Sequence, residues 1–376
     1  MDNNNNIQSI FRQHGEAFRR ENNLSAVQLK AMQAIEKCAT EQAGFHSFIC
    51  EHCGHTDVAF NSCCNRHCPN CQWLKQEIWI DKAKSRLLPV KYVHIVFTLP
   101  PFLNEFVLIN HQLIYNILFE ASWYAINKVV QSFTGAQTGA LSVLHTWGQN
   151  LSLHPHVHIL VPAGGMDADG MQWISSTKKF FVPVMALSKI FRARVLFLLL
   201  KTVFNRSLVI PASWKERNVA EELTTFTKEK DWVVHSEKSQ LSPVKVIRYL
   251  GKYIQRVAIS NRRIESVDQN KVCFSYKDYA DRGIQKKMEL HPMEFIRRFM
   301  LHILPERFCK VRYFGILSIK NRNTKLQHCF ALINKVQLPP RFEGMNRMQI
   351  LKLITGKDFS LCPCCQTGQM KRYIPP

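Results

Sequence analysis

Six cysteines crowd into the stretch from Cys50 to Cys71, and four of them fall into two CxxC turns, Cys50-Glu-His-Cys53 and Cys68-Pro-Asn-Cys71. Zn2+ takes four thiolate or imidazole ligands in a tetrahedron, and a CxxC turn presents two sulfurs about 2.3 Å from one point. The spacing predicts a zinc ribbon ligated by Cys50, Cys53, Cys68 and Cys71. All four positions would then be filled by protein, so the site is structural and leaves none for substrate. His55, Cys63, Cys64 and His67 lie inside the loop as candidates for a second ion or for replacing one ligand. A further pair, Cys362 and Cys365 in Cys362-Pro-Cys-Cys365, is half of a zinc site. Its other half would have to come from Cys309, His328 or Cys329, and a plain cluster of reduced thiols is the competing reading.

The opening residues, MDNNNNIQSIFRQ, are polar and then basic, which predicts no secretory signal. Thirteen cysteines without export imply a reducing cytosol, where clustered thiols mean metal and not disulfides. The chain carries 50 Lys and Arg against 28 Asp and Glu, a formal charge of +22. Such self-repulsion points to a polyanionic partner. The longest apolar run, near Val195 to Leu200, is too short to span a bilayer, which leaves nucleic acid. Near the ribbon, Arg66, Lys75 and Lys82 suit phosphate contact, or ordinary solvation.

Apolar spacing predicts helices over 7–45, 73–88, 102–134, 184–206, 243–259 and 292–303. Strands are expected at Tyr92–Leu99 and near Lys271–Tyr276, with a hairpin formed by Ala140–Trp147 and Val157–Pro162. The expected organisation is linear: an N-terminal helical segment (1–45), a zinc-binding module (46–88), a core (89–265) and a basic C-terminal region (266–376).

Within the hairpin lies His154-Pro-His-Val-His158. Strand side chains alternate, so His156 and His158 share one face, about 5 to 7 Å apart, and can hold one divalent ion. A turn near Leu151–Leu153 would set Gln149 opposite His156 and Trp147 opposite His158. Gln149 is then the expected third ligand, with His145 and His154 as less well placed alternatives. Three protein ligands leave positions open for catalysis. Trp147 is a candidate platform for a stacked base, or a core residue.

Farther on, Tyr249 and Tyr253 are four apart, so on a helix both phenols emerge on one face. Lys245, Arg248, Lys252 and Arg256 add a basic stripe that would contact DNA. A phenol attacks a phosphodiester well only if cations favour the phenolate and a metal polarises the phosphate. Rejoining through a phosphotyrosine needs no ATP, and the chain has no P-loop GxxxxGK[ST].

His156-Val-His158 resembles the His-hydrophobe-His motif of the HUH endonucleases, Val96-Phe-Thr-Leu99 the strand motif that precedes it, and Tyr249-Leu-Gly-Lys-Tyr253 the YxxKY motif of the two-tyrosine branch. With the cysteine module and the string His145-Thr-Trp-Gly-Gln-Asn, the chain resembles the rolling-circle transposases of the insertion sequence 91 type. That resemblance implies an α+β fold: an HUH core of antiparallel sheet flanked by helices, an N-terminal helical and zinc-ribbon module, and a basic C-terminal region. It implies metal-dependent cleavage and transfer of single-stranded DNA through 5′-phosphotyrosines at the ends of an insertion sequence. Tyr249 and Tyr253 would be the nucleophiles with Lys252 between them. His156, His158 and Gln149 would hold Mg2+ or Mn2+, with Gln255 as runner-up for the third ligand, and Zn2+ would be structural. Partners would be the element's ends, target DNA and a host helicase or replication machinery, in the cytoplasm at the bacterial nucleoid. The alternative is a rolling-circle replication initiator or relaxase of a plasmid or phage.

Overall fold

The computed structural model describes residues 5–176, 183–229, 232–237, 243–254, 258–279 and 281–373. The chain begins with helices α1 (Ile7–Glu21) and α2 (Ala26–Lys37), strands β1 (Phe45–Cys50) and β2 (Thr56–Phe60), and α3 (Trp73–Lys84). It continues through β3 (Tyr92–Thr98), α4 (Asn104–Ile109), α5 (His111–Thr134), β4 (Gly139–Trp147), β5 (Leu153–Pro162), β6 (Gly164–Met166) and β7 (Trp173–Ser175). Next come α6 (Val184–Phe204), α7 (Val219–Glu229), β8 (Val234–Glu237), α8 (Pro243–Ile254), β9 (Ile264–Val267), β10 (Val272–Asp278) and β11 (Ile284–Leu290). The last elements are α9 (Pro292–Met300), β12 (Val311–Gly315), α10 (Lys325–Leu332), α11 (Arg347–Thr355) and β13 (Met370–Tyr373). The architecture is α+β, with antiparallel sheets flanked by helices, as the motifs imply.

These elements form two interleaved units. One takes Met1–Lys82, Gln255–Ile303 and Pro339–Pro376; the other takes Ala83–Ile254 and Leu304–Leu338. The linear division into four stretches therefore does not hold: residues 266–376 make no region of their own and are shared between the units. The reason is strand pairing, because β12 joins the sheet of the second unit while β13 joins the ribbon of the first.

In the first unit, α1 starts at a capping box in which Asn6 and Ser9 satisfy each other's backbone N–H groups. Ile7, Ile10, Phe11 and Phe18 form its buried stripe. Phe11 meets Phe299 of α9 edge-on, with ring centroids 5.2 Å apart. Two three-stranded sheets complete the unit, in the orders β13-β1-β2 and β11-β10-β9. Every residue of β2 is exposed, so the ribbon has little core of its own.

The second unit is built on a five-stranded sheet in the order β12-β4-β5-β3-β8, every neighbour antiparallel. Ile95, Phe97, Ala140, Leu144, Val157, Ile159 and Val161 alternate onto one face and pack with α5 and α6 into a single apolar core. Phe191 of α6 contacts Phe97 edge-on at 4.9 Å. Helix α5 ends where Gly135 takes the left-handed conformation (φ 68°) and its N–H donates to the Gln131 carbonyl, a stop that costs glycine little. Among the described residues no helix is long and apolar enough to cross a membrane.

Candidate metal centres

Alternation that buries the odd-numbered residues of β3 and β5 in the apolar core turns the even-numbered ones to the opposite face. There His156 and His158 of β5 meet a third imidazole, His145 of β4. One nitrogen from each of the three lies within 4.8 Å of the others. His158 is 8% exposed and His145 is 3% exposed. The strand carrying Val96–Leu99 pairs directly with this one, Val96 opposite His158 and Thr98 opposite His156.

The expected third ligand is displaced. His145, not Gln149, stands opposite His156, and Val143, not Trp147, stands opposite His158. The turn comes earlier than the sequence suggests: Gly148 N–H donates to the Ser152 carbonyl at 2.9 Å, and Leu151 adopts φ 64°. A register shift between His145 and Trp147 then adds one residue. Gln149 is left in the turn. Trp147 is buried, its ring stacked on His145 at 5.1 Å, so it is not an open platform for a base. His154 is exposed and lies outside the triad.

Hydrogen bonds set which imidazole nitrogen faces the centre. His156 Nδ1 donates to the His154 carbonyl at 2.7 Å, leaving Nε2 with its lone pair. His158 Nδ1 lies 2.9 Å from Nε2 of His94, a β3 residue that the motif reading passed over. For His158 to bind a metal through Nε2, its Nδ1–H must donate to His94. Burial pushes His156 down to about 4, with the neighbouring His154 charge adding to the effect. Burial, and then repulsion from His156 and from His94, holds His158 well below the usual imidazole range. His145 is lowered in the same way, first by burial, then by His158 and His156, and further by Lys310, which is itself buried. Neutral imidazoles are the form that binds a metal, so the donor set fits a divalent ion.

The tyrosine positions fall on α8, which lies against β4. Among its described residues Ile247, Leu250 and Gly251 are buried, and Lys245 and Arg248 are exposed. The side chains of Tyr249, Lys252 and Tyr253 lie outside what the structure describes, as do Gln255 and Arg256 entirely.

The cysteines regroup. Cys50 and Cys53 do not share a site with Cys68 and Cys71, so the expected ribbon of those four is corrected. Cys68 and Cys71 meet Cys63 and Cys38, with one sulfur from each within 4.8 Å of the others. Cys63 Sγ is 3.7 Å from Cys71 Sγ. Cys38, at the C-terminal cap of α2, had no CxxC partner to flag it. Among the candidates inside the loop, Cys63 joins this group while His55, Cys64 and His67 belong to neither cysteine group. Four thiols on one point pull Cys71 down, through S–H donation from Cys38, Cys63 and Cys68, and push Cys68 up. A divalent ion would relieve that conflict by taking all four as thiolates. Cys50 and Cys53 instead meet Cys362 and Cys365. The partners foreseen for that pair, Cys309, His328 and Cys329, lie elsewhere: Cys309 is exposed, and the His328 ring nitrogen contacts the Gly170 carbonyl. Lys75, a suggested phosphate contact, donates to the Cys64 carbonyl at 3.3 Å.

Comparison with known proteins agrees with this layout. Residues 139–325 match a family described as putative transposase, and residues 10–99 match a transposase zinc-binding domain. A putative transposase of Sinorhizobium fredii is 39% identical over 97% of this chain and 94% of its own length. The transposase for insertion sequence element IS801 of Pseudomonas savastanoi pv. phaseolicola is 26% identical over 79% of this chain and 72% of its own. No solved structure matches. With one complete cysteine group inside the zinc-binding match and the three histidines inside the transposase match, the chain belongs to the insertion sequence 91 family of transposases.

Proposed function

We propose that this transposase is an HUH-type nuclease that cuts and rejoins single-stranded DNA by rolling-circle chemistry, with Tyr249 and Tyr253 as nucleophiles and His145, His156 and His158 as ligands of a divalent ion. The observation that carries the reading is the convergence of three neutral imidazoles on one sheet face, with the helix bearing both tyrosine positions against the strand that supplies His145. Of the two ions expected, three imidazoles favour Mn2+ over Mg2+, which prefers oxygen ligands. When bound, the ion polarises the scissile phosphate and offsets the charge that develops there.

The chain's own residues do the rest. A tyrosine Oη attacks phosphorus as the P–O3′ bond breaks; the leaving 3′ oxygen takes a proton, and the 5′ phosphate stays on the tyrosine. Attack by a 3′-hydroxyl reverses the step and frees the phenol. A phenol with a pKa near 10 needs cations nearby to react at neutral pH, and Lys252 with Lys245 and Arg248 of α8 supplies them, with Arg256 following in the sequence. One phenol held as an ester cannot attack again, so a second lets the enzyme cut the other strand end before releasing the first. Zinc is structural. The substrates are the element's ends and target DNA in the bacterial cytoplasm, and a host helicase or replication machinery opens the donor.

Incubating the full chain with end-labelled single-stranded DNA from the element's ends and Mn2+, followed by a denaturing gel, tests this. A covalent protein–DNA band that survives either Tyr249→Phe or Tyr253→Phe but is absent from the double variant is expected. A band that persists in the double variant, or none with the unaltered protein, rejects the reading.

A further inference from the structure

The zinc-binding match, residues 10–99, contains one complete cysteine set and one knuckle, Cys50–Cys53, that is complete only with residues outside it. Those residues lie more than 300 positions away. Cys50 Sγ is 3.7 Å from Cys365 Sγ, and Cys53 Sγ is 3.6 Å from Cys362 Sγ. The two turns are built alike. Gly54 N–H donates to the Cys50 carbonyl at 3.1 Å, and Gln366 N–H donates to the Cys362 carbonyl at 3.0 Å. Both of these fifth residues are left-handed, Gly54 at φ 70° and Gln366 at φ 58°. In each turn backbone N–H groups point at sulfur: His52 and Cys53 toward Cys50 Sγ at 3.4 and 3.5 Å, Cys364 toward Cys362 Sγ at 3.4 Å, and Gly368 toward Cys365 Sγ at 3.3 Å. Such bonds favour thiolates, which is what a thiolate-bound metal requires.

The backbone delivers the second turn to the first. β13 pairs antiparallel with β1, with Met370 opposite Cys50 and Tyr373 opposite Ser47. A Cβ at Gly368 would lie 2.5 Å from Cys50 Sγ, so only glycine permits this approach.

We infer that Cys50, Cys53, Cys362 and Cys365 form a second structural Zn2+ site, a clasp that fastens the C-terminal strand to the N-terminal ribbon. Binding converts four thiols to thiolates and releases their protons to solvent, with no change of oxidation state. The clasp closes a loop of more than 300 residues, so the ribbon of this unit is complete only once Cys362, Cys365 and β13 have joined β1.

Alkylation of the full-length, zinc-loaded protein by iodoacetamide, read residue by residue by mass spectrometry, tests the clasp. Cys53 and Cys364 are both exposed, so burial alone predicts that both label readily. Zinc predicts that Cys53 and Cys365 label at least about tenfold more slowly than Cys364, because a metal-bound thiolate is a poor nucleophile toward the reagent. A chelator should abolish that protection and a phosphine reductant should leave it intact. Metal analysis should find one zinc fewer per chain in Cys362→Ser, Cys365→Ser than in Cys364→Ser. Labelling of Cys53 as fast as Cys364 overturns the proposal. So does protection that the phosphine removes and the chelator does not, which would mean two disulfides, or an unchanged zinc count in the double variant. Because the alkylation uses the unaltered chain, it decides the matter even if the variant fails to fold.

Discussion

The histidine centre and the cysteine groups are both sets of metal ligands, yet they arise in opposite ways. His145, His156 and His158 come from one hairpin and rest on a sheet whose other face is covered by a large apolar core. That core keeps the strands in register whether or not an ion is bound. The cysteines come from turns and helix ends scattered from Cys38 to Cys365, in a unit whose ribbon strand β2 is wholly exposed. Around the ribbon, contacts such as Lys371 with Glu51 are exposed ion pairs, worth at most about 1 kcal/mol each. In the hairpin the fold holds the site; in the ribbon the site must hold the fold.

The largest effect should therefore be the asymmetry of metal removal. Structural zinc contributes on the order of 10 kcal/mol or more to small domains. Stripping it with a strong chelator should erase hydrogen-exchange protection in β1, β2 and β13 while β4 and β5 stay protected. Simultaneous loss in both sets of strands would break the comparison.

Within the hairpin, register should decide which residue binds. His145→Ala is expected to weaken Mn2+ binding, measured by calorimetry, by about 100-fold, more than the loss of most supporting residues. Gln149→Ala should leave it nearly unchanged. The reverse order would restore the turn near Leu151–Leu153 and overturn the observed pairing.

A smaller effect sharpens the point that the sheet prearranges its ligands. His94 meets this set through the 2.9 Å contact of its Nε2 with His158 Nδ1. His94→Ala should lower Mn2+ affinity by roughly 10- to 100-fold without unfolding the unit. His94→Gln, whose amide oxygen can still accept from Nδ1–H, should recover part of the loss.

The smallest effect belongs to ion pairs in the cysteine-bearing unit. Glu294 on α9 is held down at about 2, first by Arg297 and then by Arg298. Its folded pKa lies below the ordinary value of 4.5, so the stability it adds is present above about pH 4.5 and is lost as pH falls from there toward 2. The group is a third exposed, so solvent screening cuts the effect, and Glu294→Gln should cost about 0.5 kcal/mol at pH 7 in a denaturant titration. A loss several times larger would mean that ion pairs, not zinc, hold this unit.

Much of the site could be read from residue order because its rules are local. Alternation along a strand put His156 and His158 on one face, and the helix over 243–259 is seen as α8 through Ile254. The pairing of Val96–Leu99 with the His-Val-His strand follows the motif order that the resemblance implied. The third imidazole was misplaced because a hairpin's register depends on its turn, and here a five-residue turn and a bulge moved it. His94 escaped notice because nothing in the sequence marks which residue of a neighbouring strand will face a given histidine.

The sequence by itself determined the local chemistry: CxxC turns that each offer two sulfurs, an alternating strand that offers two imidazoles, and two tyrosines one helical turn apart. Those follow from backbone periods that operate over a few residues. Only the tertiary structure decided which turn meets which. A CxxC turn fixes its own two sulfurs and is indifferent to its partner, so the choice fell to strand pairing: β13 beside β1 brought Cys362 and Cys365 to Cys50 and Cys53, and left Cys68 and Cys71 to Cys38 and Cys63.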